Sequence, residues 1–152
     1  MDKDLRFKPA VIGDRDTLVQ LVQRYYAFDH IPFAQEEVRA ALGVLLQDDR
    51  LGRAWILSKG AQVAGYAVLS FHFDHELGGR SGIVTDLYIE PEHRHRGLGT
   101  ETLCFIEEQA AGFGLLSIEL QVERDNAIAR RLYEKSGYRP FDRIPMAKRL
   151  RV

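Results

Sequence analysis

Asp86-Leu87-Tyr88-Ile89-Glu90-Pro91-Glu92-His93-Arg94-His95-Arg96-Gly97-Leu98-Gly99-Thr100 joins three kinds of local structure. A hydrophobic strand runs out, a basic loop containing glycine turns, and an amphipathic helix begins. A helix start exposes backbone N–H groups that have no intrahelical acceptor, and the helix dipole adds partial positive charge there. Gly97 and Gly99 have no side chains to hold a phosphate away from those donors. Arg94 and Arg96 add charge in a form that can bind phosphate oxygens in pairs. The chemistry this stretch asks for is diphosphate binding. A nucleotide P-loop would end in Gly-Lys-Ser/Thr, and none is present. A dinucleotide fingerprint would carry glycine or alanine at position 102, where Thr102 stands, and would normally follow the first strand of its unit.

Upstream, the hydrophobic pattern predicts a strand over Leu5–Pro9, then a helix opened by Gly13-Asp14 with Asp14 as N-cap. Leu18, Leu21, Val22, Tyr25 and Tyr26 repeat at helical spacing. A second helix over Gln35–Gln47 groups Val38, Ala41, Leu42, Leu45 and Leu46. Strands follow at Ala54–Ser58 and Gln62–Phe73, joined at Lys59-Gly60, and a third at Gly82–Glu90 that Pro91 ends. Downstream, a helix starting within Gly97–Thr100 runs to about Ala111. Leu116–Val122 reads as a strand, Asn126–Ser136 as a helix stopped by Gly137, and Tyr138–Asp142 and Pro145–Leu150 as two terminal strands. Helices interleaved with strands give an α/β (α+β layered) fold with a mixed central sheet flanked by helices, in a single domain over residues 1–152.

A second motif, Asn126-Ala127-Ile128-Ala129-Arg130-Arg131-Leu132-Tyr133-Glu134-Lys135-Ser136-Gly137-Tyr138, puts Asn126, Arg130 and Tyr133 at i, i+4 and i+7. They share one helix face, with Asn126 and Tyr133 roughly 10.5 Å apart along the axis. Ile128 and Leu132 lie on another face, available to pack on the sheet. Arg94-His95-Arg96-Gly97-Leu98-Gly99 resembles the acyl-CoA loop of the GNAT superfamily of N-acetyltransferases, Gln/Arg-x-x-Gly-x-Gly/Ala. The approach strand Leu87-Tyr88-Ile89 and Pro91 also match. The second motif resembles that family's Asn-x-x-Ala-x-x-Leu-Tyr-Glu-x-x-Gly-Phe/Tyr, with every specified position matched. The resemblance follows the whole chain in element order.

What the resemblance implies is acetyl transfer from acetyl-CoA, as cosubstrate and without a metal, to a primary amine, that of a small molecule. Cofactor contacts would come from Leu87, Tyr88, Ile89, Arg94, His95, Arg96, Gly97, Leu98, Gly99, Thr100, Asn126, Ala129 and Tyr133. Tyr133 would give its proton to the leaving thiolate, as a phenol that stays neutral at physiological pH. A backbone N–H near Tyr88 or Ile89 would meet the oxyanion. Asp86 leads as general base, ahead of His72, Glu76 and Glu119, with a substrate-binding carboxylate or a salt bridge as its other readings. Thr85 cannot be a base. Alternation places Val84, Asp86 and Tyr88 on one face unless a bulge intervenes. Tyr25, Tyr26, Phe28, Asp29, His72 and Glu76, with His30, Phe33, Phe71, Phe73, Asp74 and His75 around them, suit a cationic acceptor through ring faces and carboxylates. An acetyltransferase of protein or peptide amines, or a non-catalytic CoA-binding module, would keep the same donor site.

Composition bounds these readings. A net charge of -1 over 152 residues gives no general attraction to nucleic acid or acidic membrane. The basic run Lys148-Arg149-Arg151 is too short to imply one. No apolar signal region follows Met1-Asp2-Lys3-Asp4 and no apolar run could span a bilayer, so the expected location is cytoplasmic; a homodimer is compatible. The lone cysteine, Cys104, rules out an intramolecular disulfide framework and a cysteine-rich zinc site. Its place in an apolar helical pattern predicts core packing.

Overall fold

The computed structural model describes residues 3–150, so Met1, Asp2, Arg151 and Val152 lie outside the described residues. It divides into two compact units, Met1–Gln121 and Val122–Val152. The first unit runs β1 (Leu5–Pro9), α1 (Arg15–Phe28), α2 (Gln35–Leu45), β2 (Gly52–Lys59), β3 (Gln62–Asp74), β4 (Gly79–Ile89), α3 (Leu98–Gly112) and β5 (Ser117–Leu120). The second holds α4 (Ala127–Lys135). Among the described residues, no helix is long and apolar enough to cross a membrane.

The five strands lie in the order β1-β2-β3-β4-β5. β1 to β4 are antiparallel neighbours and β5 runs parallel to β4, which gives the mixed sheet expected from the sequence. Strand alternation feeds two cores. Trp55, Leu57, Leu69, Val84 and Ile89 point to one face, where Leu98, Ile106 and Ala110 of α3 cover them. Ala54, Ile56, Tyr66, Val68 and Tyr88 point to the other, against Leu18, Leu21 and Val22 of α1 and Leu42 of α2. Each fully buried leucine contributes about 1.5–3 kcal/mol.

Several sequence expectations are corrected. No strand occurs over 138–150 among the described residues, where nearly every position is exposed. A strand needs a neighbour for its backbone groups, and Pro140 and Pro145 cannot donate. Asp14 stands at the N-cap position of α1, but its carboxylate caps the preceding 3-10 turn, accepting from the Val11 N–H at 3.0 Å and from Lys8 Nζ at 2.8 Å. Those two bonds hold its carboxyl below the usual range. Cys104 is exposed, not core. The stripe that α3 buries runs through Leu98, Thr102, Leu103, Ile106 and Ala110, and position 104 is turned about 100° beyond Leu103. Ile128 is 70% exposed, because the half-buried stripe of α4 passes through Asn126, Ala129, Leu132 and Tyr133 instead.

Candidate active site

The site begins where two strands part. β4 pairs with β5 only from Ser81↔Ser117 to Val84↔Leu120. β5 ends at Leu120, while β4 continues to Ile89 against β3. Opposite the step from Val68 to Leu69, Thr85 is an extra residue in β4, a bulge of the kind that re-aims side chains beside functional sites. Val84 therefore joins the α3 core, while Asp86 and Tyr88 turn to the α1 and α2 side. The expectation that Val84 shares a face with Asp86 is corrected by this bulge.

Beyond the bulge, hydrogen bonding alternates. The Glu90 N–H donates to the Ala64 carbonyl at 2.8 Å, so Tyr88 and Asp86 face the β3 ladder, while the N–H groups of Leu87 and Ile89 turn to the opposite edge. That edge has no strand once β5 has ended. Among the described residues no strand covers the Leu87 and Ile89 N–H groups there, while the Ile89 carbonyl on the same edge accepts from Arg94.

The loop then turns by backbone conformation. Pro91–His93 form a 3-10 turn, and His95 and Gly97 take positive φ angles of 60° and 83°. Such angles cost glycine little. The first intrahelical bond of α3 runs from the Glu101 N–H to the Gly97 carbonyl at 3.1 Å, so the N–H groups of Leu98, Gly99 and Thr100 have no acceptor within the helix. Gly97 offers no capping side chain, and a Cβ there would meet nothing within 4 Å. This open cradle fits a diphosphate. His95, Arg96 and Thr100 are exposed beside it.

Arg94 is used differently from its neighbour Arg96. Its Nε donates to the Ile89 carbonyl at 2.8 Å, and its guanidinium lies 4.2 Å from the Phe28 ring centre and 5.5 Å from that of Tyr88. One turn earlier on α1, Arg24 Nε donates to the buried Glu90 carboxylate at 2.7 Å, which also accepts from the Tyr88 hydroxyl at 3.1 Å. The end of α1 is thereby tied to the exit of β4. Replacing Arg24 with methionine should destabilise the protein by about 2 kcal/mol, since Glu90 stays buried without its ionic partner; a urea denaturation midpoint measures it. Nothing in the sequence marks this network, because residues 24 and 90 have no local relation. His93 is also buried, and neither ring nitrogen has a partner among the described residues.

On the α1 and α2 side, the Asp86 carboxylate accepts from the Tyr66 hydroxyl at 2.7 Å. Burial raises the Asp86 pKa, against the opposing effect of that bond. Burial and the nearby carboxylate push the Tyr66 phenol far up, so it stays a donor. Burial, and then the Asp86 charge, also raise Tyr26. Tyr25 meets Tyr66 and Tyr88 with ring centres 6.4 and 5.9 Å apart, and Tyr26 meets Phe33 at 6.2 Å. Aromatic rings thus stand around the half-buried Asp86 carboxylate. Phe28 and Asp29 end α1. His72 lies further along β3 on the same face, Phe71 turns away to Phe113 and Arg53, and Glu76 sits in the exposed turn after β3. No cluster of three or more His, Cys, Asp or Glu among the described residues could hold a metal ion.

In the second unit, the Asn126 side chain accepts from the Ala129 N–H at 3.1 Å and caps α4. Tyr133 is half-buried, with its ring 6.1 Å from that of Tyr138. Gly137 ends the helix at φ 94°, as predicted. Arg130 points outward to Glu134 at 4.0 Å.

A model described as the acetyltransferase (GNAT) family matches residues 16–138. The chain belongs to that family. Mycothiol acetyltransferase of Clavibacter michiganensis subsp. michiganensis is 33% identical over 142 residues, covering 91% of this chain and 44% of that protein. Mycothiol acetyltransferase of Kocuria rhizophila is 30% identical over 148 residues, covering 91% and 47%. The chain thus spans about half the length of these curated relatives. Among solved structures, an integron cassette protein from the mobile metagenome of Cole Harbour Salt Marsh superposes with a TM-score of 0.84 at 25% identity, over 99% of this chain and 93% of that one. A predicted acetyltransferase from Clostridium acetobutylicum, solved with acetyl-CoA, gives 0.81 at 22% identity over 95% and 96%, a likeness of fold. The GNAT signatures in Arg94–Gly99 and Asn126–Tyr138 are therefore those of a GNAT acetyltransferase domain.

Proposed function

We propose that this GNAT chain transfers an acetyl group from acetyl-CoA to the primary amine of a small cationic molecule. The observation that carries the reading is the parting of β4 from β5 after Val84, which leads a free backbone edge into an uncapped helix start. Bound acetyl-CoA would supply an activated acetyl group and a thiolate leaving group.

The chain's own residues do the rest. Backbone N–H groups of Leu98, Gly99 and Thr100, with His95 and Arg96, hold the diphosphate, and Leu87 and Ile89 hold the amide-bearing arm. Arg94 holds the Ile89 carbonyl on that same edge, at its loop end. The Ile89 N–H donates to the carbonyl oxygen as negative charge builds there. Asp86 takes the proton that the ammonium must lose, directly or through water. Tyr133 donates a proton to the departing sulfur, and Asn126 and Ala129 line the arm as the family signature assigns. The rings of Tyr25 and Tyr26, with Phe28, Asp29, His72 and Glu76, receive the acceptor. Their faces and carboxylates favour a cation.

Titration calorimetry with CoA and acetyl-CoA tests the donor half, and thiol release over a panel of amines and peptide amino termini tests the acceptor half. Tyr133→Phe should lower turnover on the order of 10²-fold with CoA affinity little changed. Unchanged turnover would remove Tyr133 from the chemistry. Heat from CoA with no release from any amine would point to a non-catalytic binder, and release from peptides alone would refute the small amine.

A further inference from the structure

Part of the sheet face that bears Asp86 carries a second polar cluster. Along β3, Tyr66, Val68, Ser70 and His72 alternate onto one face, of which Tyr66 and Val68 meet α1 and α2. On β4, a Cβ at Gly82 would meet Leu69 and Leu115, and Val84 joins the α3 core, so Ser81 and Ile83 face the other way, with His72. On β5, Ile118 and Leu120 pack towards α3, which turns Ser117 and Glu119 to the same side as His72. Side-chain contacts agree: His72 Nε2 lies 3.3 Å from Glu119 Oε2 and 3.1 Å from Ser81 Oγ.

This is not the relay of a nucleophilic serine. In such a relay the hydroxyl takes one ring nitrogen and the acid the other, whereas here Ser81 Oγ lies 3.1 Å from Nε2, the nitrogen that Glu119 meets, and 3.4 Å from Nδ1. Ser81 is fully buried, closed to any attack on a substrate. The cluster is instead rich in acceptors. Glu119 is 30% exposed and its contact with His72 uses Oε2, while a carboxylate has lone pairs for several donors. Ser117 Oγ, the register neighbour of Ser81, is buried without a partner among the described residues. An ammonium group brings three donors and no acceptor, which complements the exposed part of the Glu119 carboxylate.

The cluster stands at a defined spacing from the base. Glu119 is in register with Ile83, and Asp86 lies three residues further along β4; with Thr85 bulged, that stretch spans only Ser70 to Val68 of β3, roughly 7 Å at the rise of a strand. Ile83, half-buried on this face, supplies apolar surface between the two carboxylates. We propose that Glu119, positioned by His72 with Ser81 and Ser117 behind it, forms a second anchoring point for the acceptor, which takes a cationic group, so that the acceptor is a diamine or longer polyamine. The proposal rests on the functional reading above, with the reacting amine at Asp86.

The test compares an n-alkylamine with an α,ω-diamine of the same chain length, by thiol release, in the wild type and Glu119→Gln. The wild type should prefer the diamine. In Glu119→Gln the ratio of kcat/KM for diamine over monoamine should fall about tenfold, the loss of one charge-assisted bond. The ratio cancels any general loss of active protein, so a variant that folds less well still reads out. No preference in the wild type, an unchanged ratio in the variant, or no release with any diamine overturns the proposal. CoA binding by calorimetry separates the two failures: heat with CoA keeps the acetyltransferase reading alive after the polyamine site has failed, and its absence ends both.

Discussion

Asp86→Asn should lower kcat/KM by about 10²–10⁴-fold and raise the melting temperature at neutral pH. Both effects come from one carboxylate. Asparagine keeps the shape and the oxygen that accepts from Tyr66 at 2.7 Å but cannot take a proton from an ammonium. The stability sign follows from the direction of the shift. Burial raises the Asp86 pKa in the folded state above its ordinary value, so the fold favours the protonated form. The resulting stability is complete below the unfolded pKa and is lost as pH rises through the folded one. At neutral pH the ionised carboxylate therefore works against folding, and asparagine removes that penalty. The advantage of the variant should fade on acidification into the carboxylate range, where the wild type is protonated too. Wild-type activity should fall on the same acid side, because the base form is lost there. Scanning calorimetry at neutral and acid pH, beside a pH–rate profile, measures both. An active Asp86→Asn would exclude Asp86 as base, and a less stable one at neutral pH would mean that the charge is held by more than Tyr66.

The second large effect is expected at Gly65, where no charge is involved. Gly65 lies in β3 with φ +156°, and an added Cβ would sit 2.0 Å from the Tyr88 carbonyl oxygen and 3.1 Å from the Ile89 Cα. Both neighbours are backbone of the adjacent strand, paired Gly65↔Ile89, so relief must come from moving β4. Gly65→Ala should destabilise by about 3 kcal/mol, the upper part of the range for overpacking. Where the variant is still folded, CoA affinity should fall, since Ile89, one of the displaced residues, carries an N–H of the edge beside β5. Gly13→Ala is the control: a Cβ there meets nothing within 4 Å. Urea midpoints at constant slope read the effect. A Gly65→Ala midpoint equal to that of Gly13→Ala would show that β4 yields freely at this point.

Much of the domain is written in local pattern. Helical spacing of Leu18, Leu21 and Val22, the turn at Gly60 and the stop at Gly137 depend on residues within a few positions of one another, and each appears where periodicity predicts it. The diphosphate cradle is equally local, because a strand end, two glycines and a helix start are contiguous. Even so, composition does not fix what a charged side chain does there. Arg94 and Arg96 carry the same charge two positions apart, yet Arg94 lies over Phe28, a residue of α1.

By itself, the sequence determined the order of the helices and of the first five strands, the glycine loop and helix start at Gly97–Thr100 and the family to which the chain belongs. Tertiary structure alone decided the bulge at Thr85, the contact of Glu119 with His72, the hold of Arg24 on Glu90, the exposure of Cys104 and the absence of ladders over 138–150 among the described residues. The physical reason is the range of the interaction. Period, capping and turn chemistry act over a few residues and leave their mark in adjacent letters. Strand partners, bulges and buried ion pairs depend on what a distant segment offers, and an apolar run reads the same whether or not a neighbouring strand is there to receive it.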